Sequence, residues 1–300
     1  MRPSILALHL GAILFASTTS AAYALVDNYN ASNFFTSFDF FTDADPTNGF
    51  TKYISAQTAG NSKLAGWSEG ARGSKSIFMG TDDKDNNPSL PGRHSTRVHS
   101  KKSYTRGLFI ADIKHMPSQA CAVWPAFWTV GENWPNNGEI DILENVNLET
   151  QNRVTLHTSA GCVMKSAGSS ERSTLLEDDC NTDEGRTGCG FQTNSQANYG
   201  LDFNNADGGV YAMEWTSDVI QVWHFMRKDI PKELLDAGLA PNPKTWGTPV
   251  AAFAWNGCDI DQHFKEHKIV FNTALCGDVW FPFFFPSPPS SLPSKFSPLF

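Results

Sequence analysis

The chain has 300 residues, only 18% of them charged, with a formal net charge of −8 and no basic run, which argues against a nucleic-acid partner. Its length suits one large β domain or two small ones, and either can bury a core. Aromatic residues are plentiful (22 Phe, 9 Trp and 6 Tyr), and Trp, with its polar edge, often lines binding surfaces.

Residues 1–22 read as a secretory signal. Arg2 supplies the positive start, Ile5 to Phe15 the short apolar stretch, and small residues lead to cleavage near Ala22 or Ala24. The apolar stretch is too short to span a membrane, so a secreted protein is expected, with no membrane attachment after cleavage. Secretion makes disulfides plausible for Cys121, Cys162, Cys180, Cys189, Cys258 and Cys276, although six cysteines leave the pairing open. They are too dispersed for a zinc motif, and no metal or cofactor is expected. Asn30-Ala31-Ser32 is an N-glycosylation sequon.

Past the leader, Phe34 to Phe41 reads as a first strand, 45–49 as a turn, and 53–70 as loop-rich. Ile77 to Thr81 and Arg97 to Ser103 read as strands around a polar loop at 82–92. Leu108 to Ile113 follows as another strand. Cys121 to Val130 is dense in aromatics, and 132–138 is a turn. Next comes the strip Gly138-Glu139-Ile140-Asp141-Ile142-Leu143-Glu144-Asn145, then a strand from Val154 to Ser159. Residues 160–209, rich in Gly, Ser, Asn and Asp, read as a long, disulfide-stapled surface excursion. Val210 to Thr216 and Val219 to Phe225 alternate as two strands. Lys232 to Ala237 reads as a short helix, and Lys268 to Thr273 as a final strand. Many short strands and frequent turns mean an all-β sandwich or barrel.

The strip carries the chemistry. On a helix Glu139 and Glu144 would lie about 140° apart and could not share a site. On a strand Glu139 and Asp141 share a face, and Glu144 joins them only if one extra residue bulges between Asp141 and Glu144. Two carboxyls flanking one bond are what acid-catalysed glycoside cleavage needs. A solvated acidic face and a Ca²⁺ site are the rival readings of the strip alone.

Glu139-x-Asp141-x-x-Glu144 resembles glycoside hydrolase family 16, in the bulged form of fungal laminarinase-type endo-β-1,3(4)-glucanases. The resemblance extends through WPAFWTVGENWPNNGEIDILENVN, VTLHTSAGC at 154–162, TGCG at 187–190, GGVYAMEWT at 208–216, WGTPVA at 246–251, CDIDQHF at 258–264 and IVFNTALCGD at 269–278. It implies a catalytic domain over 23–278 with a jelly-roll β-sandwich, concanavalin A-like, whose concave cleft holds a β-glucan chain. It also implies a retaining mechanism. A monomer is expected. Glu139 would be the nucleophile and Glu144 the acid/base, with Asp141 assisting between them. The two reacting carboxyls of a retaining enzyme stand about 5–5.5 Å apart.

Trp134, in a turn before Pro135, is the favoured sugar platform, with Trp124 and Trp128 as further candidates. His157 is placed by the resemblance near the acid/base. Arg97 and Arg93 are candidates for sugar hydroxyls, and Trp223 and Trp255 are expected to pack. Asn145 stands where fungal relatives usually have glycine. After Asp278 the family continues with a Trp-Ala-Gly stretch, a cysteine pair and a closing strand. Here a Phe/Pro/Ser-rich tail fills 279–300. The expectation is a frame read through an intron, leaving the domain one strand and one disulfide short. A glucan transglycosylase and a non-catalytic β-glucan lectin are the alternative functions.

Overall fold

The computed structural model describes residues 23–278, apart from 70–74, 86–88, 90, 167–170, 196, 236–239 and 255–256. The expected leader, the tail at 279–300 and Trp255 lie outside the described residues. Among the described residues, two antiparallel sheets pack face to face as the expected jelly-roll sandwich. The larger has eight strands, in the spatial order Phe38–Phe40, Arg97–Ser100, His267–Leu275, Val123–Gly131, Glu139–Glu144, Arg153–His157, Cys189–Thr193 and Ser173–Glu177. The smaller runs Lys165–Ser166, Ala251–Ala254, Val219–Met226, Gly209–Trp215 and Gly107–Ile113. The carboxylate strip therefore lies well inside the larger sheet, flanked by strands on both sides.

Alternation along each strand decides which side chains meet the core. In Val123–Gly131, Pro125, Phe127, Thr129 and Gly131 are buried, while Trp124, Ala126, Trp128 and Val130 face the other way and are half-buried. Phe127, Ile140, Leu143, Leu156 and Phe191 of the larger sheet join Phe109, Met213, Trp215, Ile220 and Phe253 of the smaller in one core. Trp223 packs on the outer side of the smaller sheet against Trp246, ring centroids 5.4 Å apart, as its sequence context predicts. The Gly107–Ile113 strand pairs on one side with Gly209–Trp215 and forms an edge of its sheet. Beside it opens a broad apolar groove of about 2590 Å³, reaching Phe109, Phe127, Leu143 and Phe271.

Four expectations need correction. Phe34 to Phe41 is not one strand: Phe34–Ser37 forms a helical turn and only Phe38–Phe40 is extended. The helical spacing lets Phe34 and Phe38 stack at 4.2 Å, both buried. The segment 53–70 holds a helix, Ala56–Asn61, whose start is capped by the Ser55 hydroxyl accepting from Thr58 N–H, and a strand, Ala65–Glu69. The segment 160–209 is not a surface excursion. Cys189–Thr193 pairs with Arg153–His157 inside the larger sheet, and Met164, Phe191, Tyr199 and Phe203 are buried. Disulfides Cys162–Cys258 and Cys180–Cys189 anchor it, closing separations of 96 and 9 residues. The strand begun at Arg97 also ends earlier than expected, at Ser100, while the short helix covers Lys232–Leu235.

Candidate active site

The strip forms a strand over Glu139–Glu144, and the ladder breaks where the spacing requires. Phe127 pairs with Leu143 and the next residue, Trp128, pairs with Asp141, so Ile142 is the extra residue. The strand on the other side skips in the same place, Arg153 pairing with Glu144 and Thr155 with Asp141. Ile142 turns into the core, fully buried. With Ile142 removed from the count, Glu139, Asp141 and Glu144 lie on one face, opposite the core.

Asp141 is the deepest of the three, 1% exposed. His157 Nε2 stands 3.0 Å from its Oδ2. Glu139, Asp141 and His157 offer donor atoms within 4.8 Å of one another. Two carboxylates and an imidazole do not match the six to eight oxygens that Ca²⁺ takes, which weakens the Ca²⁺ reading of the strip. Trp124 Nε1 donates to Glu144 Oε1, so one of the aromatic candidates touches the expected acid/base directly.

Burial and crowding shape the titration. Burial first, and then the Asp141 charge, push the Glu139 carboxyl up to about 8. Burial also raises Asp141, strongly, with the Glu144 charge adding to it. Glu144 is raised by burial, against the opposing pull of His157, the Trp124 N–H and Arg153. Three carboxylates cannot all ionise in so small a space, so the set keeps protons at neutral pH, and those protons belong to the set rather than to one residue.

The other candidates surround this centre. Trp128 donates from Nε1 to Asn272 Oδ1 at 2.7 Å, and Asn272 Nδ2 donates to the Tyr53 hydroxyl at 3.2 Å. Arg97 is 8% exposed. Its guanidinium lies 4.5 Å from the Phe41 ring centroid and 4.9 Å from that of Trp128, and its Nε donates to His99 Nε2 at 2.8 Å. It therefore braces Trp128 from within the sheet. Arg93 is committed elsewhere, donating to the Asp82 and Asp85 carbonyls at 2.8 Å each and tying down that loop. Trp134, 49% exposed, stands in the turn that leads into Glu139. Asn145 takes no left-handed φ. Its side chain instead donates to the Gln151 carbonyl at 2.7 Å and accepts from Val146 N–H at 2.9 Å, closing the following loop.

A model of the catalytic domain of glycoside hydrolase family 16, of XgeA-like type, matches residues 38–284. The chain belongs to glycoside hydrolase family 16. A probable endo-1,3(4)-β-glucanase of Aspergillus fumigatus is 40% identical over 290 residues, which cover 93% of this chain and 43% of that protein. The chain thus spans less than half the length of that relative. A solved family 16 β-1,3-glucosyltransferase, described as elongating, is 40% identical with a TM-score of 0.79, the match covering 91% of this chain and 90% of the other. Laminarinase 16A from Phanerochaete chrysosporium, solved with two β-glucans in donor and acceptor sites, is 38% identical with a TM-score of 0.77, covering 86% of each chain.

This family 16 domain also holds a residue that sequence reasoning missed. A bulge frees backbone groups that an unbroken ladder would pair. Asn152 takes two of them: its Oδ1 accepts from Glu144 N–H at 2.8 Å and its Nδ2 donates to the Ile142 carbonyl at 2.9 Å. Asn152 is fully buried, and its own N–H donates to Asn198 Oδ1 at 3.2 Å. Asn152→Leu should destabilise the domain by about 2–5 kcal/mol, because each stranded buried group costs roughly 1–3 kcal/mol. It should also lower kcat about 10–100-fold by shifting Glu144. Urea unfolding and steady-state kinetics check the two effects.

Proposed function

We propose that this domain cleaves β-1,3- and mixed β-1,3/1,4-linked glucan internally, by double displacement with retention. The single observation that carries the reading is the bulge at Ile142, which gathers Glu139, Asp141 and Glu144 on one face of the sheet. Likeness to a laminarinase and to a probable endo-1,3(4)-β-glucanase supports the substrate class.

In this mechanism Glu144 starts protonated and gives its proton to the departing glycosidic oxygen. Glu139 attacks the anomeric carbon and becomes an ester. Glu139 has to be anionic to attack, and the other two carboxyls make that possible. When Asp141 holds a proton, its charge no longer opposes ionisation of Glu139, and its O–H can donate to the nucleophile. Esterification then removes the Glu139 charge. Glu144, left as a carboxylate, takes a proton from water, and the hydroxide equivalent displaces the sugar from Glu139. Trp134, Trp128 and Trp124 offer indole faces for the C–H faces of glucose rings. His157 orients Asp141, and Arg97 supports the platform beneath Trp128.

Transfer is the second reading, favoured by the likeness to the glucosyltransferase. A sugar hydroxyl would then replace water in the second step. A lectin role is disfavoured because all three carboxylates are present in mutually crowded positions. We infer that the protein is secreted, that it carries a glycan on Asn30, which is exposed, and that it acts on glucan as a monomer. Digestion of laminarin and barley glucan tests the proposal. Reducing ends should accumulate, and products longer than the starting oligosaccharide would mark transfer.

A further inference from the structure

Two cysteines stand outside the disulfides described above: Cys121 is exposed and Cys276 half-buried. They lie at the facing ends of two paired strands. Val123 pairs with Leu275, and one step further the Cys276 N–H donates to the Ala122 carbonyl at 2.7 Å. Both cysteines line the same groove between the sheets. The residues that face each other there, Ala122 and Cys276, have φ of 67° and 66°. Such left-handed backbone costs a non-glycine residue energy and persists where the surroundings fix it. The other four cysteines are already bridged, and bridges of that kind belong to an oxidising compartment.

We propose that Cys121 and Cys276 form a third disulfide in the mature protein, and that this bridge steadies the Trp124–Glu144 pair. The second half rests on the reading of Glu144 as acid/base. Gly277, next to Cys276, lies against the Trp124 indole, where an added Cβ would meet a ring carbon at 2.9 Å. Trp124 in turn donates to Glu144. A bridge at Cys276 therefore fixes the turn against which the donor of that hydrogen bond is packed.

The chemistry is thiol–disulfide exchange with a small-molecule or oxidoreductase disulfide. The exposed Cys121 thiolate attacks one sulfur of that disulfide and expels the other as a thiol, leaving a mixed disulfide on Cys121. Cys276, deprotonated in turn, attacks the Cys121 sulfur and expels the second thiol. The two cysteines lose two electrons and two protons, and the reagent gains them as two thiols. This order suits the local geometry, since Cys121 is exposed to the reagent, while burial pushes the half-buried Cys276 thiol up.

Peptide mapping of the secreted full chain, alkylated in denaturant before reduction, tests the bridge. A Cys121–Cys276 linked peptide that disappears on reduction is the expected result. Two alkylated, unlinked cysteines would overturn the proposal, whatever the role of Glu144. The positioning half is read with Cys121→Ser and with the Cys121→Ser/Cys276→Ser double variant. Each should lower kcat/KM about 3–10-fold to the same extent, because one bridge is lost in either case. The alkaline limb of the pH profile should move to higher pH in both, because a loosened Trp124 N–H no longer lowers the Glu144 pKa. A linked peptide with an unshifted limb would overturn the positioning half.

Discussion

Glu144→Ala should slow cleavage of laminarin about 10²–10⁴-fold, the usual worth of a positioned general acid/base. The loss should depend on the leaving group. An aryl β-glucan oligosaccharide with a good leaving group needs no proton to form the ester on Glu139, so its first step should survive and the ester should accumulate. Azide needs no general base, so it should restore turnover and yield a glycosyl azide of retained, β configuration. This outcome follows from Ile142. With that residue bulged, Glu144 points to the same face as Glu139 and meets Trp124 Nε1. Unchanged hydrolysis in Glu144→Ala would assign the proton to another group.

Glu139→Gln should abolish hydrolysis, by roughly 10⁴–10⁶-fold as for other lost nucleophiles, and yet stabilise the fold. Glu139 is pushed up to about 8 by burial and by Asp141. A carboxyl whose folded pKa lies above its unfolded value holds extra protons in the folded state between the two. Its stabilising contribution is then complete below about 4.5 and is lost as pH rises through about 8. Replacing it by a neutral amide removes that cost. The variant should therefore gain on the order of 1–3 kcal/mol at pH 8, a rise of a few degrees in Tm, and gain nothing at pH 4. Thermal unfolding across that pH range reads the difference. A variant less stable than wild type at pH 8 would mean that ionising Glu139 costs the folded protein nothing, and burial and crowding would not be what raises its pKa. A catalytic site that costs stability is a common trade.

The two variants probe the part of the molecule most legible in the sequence. Period 2 along a strand fails for Glu139-x-Asp141-x-x-Glu144 by one residue, and one inserted residue repairs it, so the bulge can be read from the unequal gaps alone. One flanking strand is equally plain: Val154 to Ser159 reads as a strand, and Arg153–His157 pairs with the strip. Asn152 was not legible. It lies in a polar run after Glu149, and nothing in that run separates an amide facing water from one that satisfies a broken ladder.

The segment 160–209 misleads for a related reason. Its apolar residues (Met164, Phe191, Tyr199 and Phe203) are scattered among Gly, Ser, Asn and Asp, so no window shows a period. They are buried by long-range pairing and by two disulfides, which composition does not reveal. Phe34 to Phe41 shows the opposite error. A run of aromatics suggests a strand, but Phe34 and Phe38 stack on each other at 4.2 Å, which residues four apart do on a helical turn and not along a strand. Arg97 is a third case: it alternates like an outward-facing strand residue, and the rings of Phe41 and Trp128 enclose it.

Retention by Glu139 and Glu144 is the claim on which the rest depends, and the anomeric configuration of fresh product tests it most directly. Proton NMR during the first minutes of laminarin digestion, faster than mutarotation, reads that configuration. The β reducing-end signal should appear first and the α signal grow in later. An α signal appearing first would mean that water attacks directly from the opposite face, and Glu139 would not be the nucleophile.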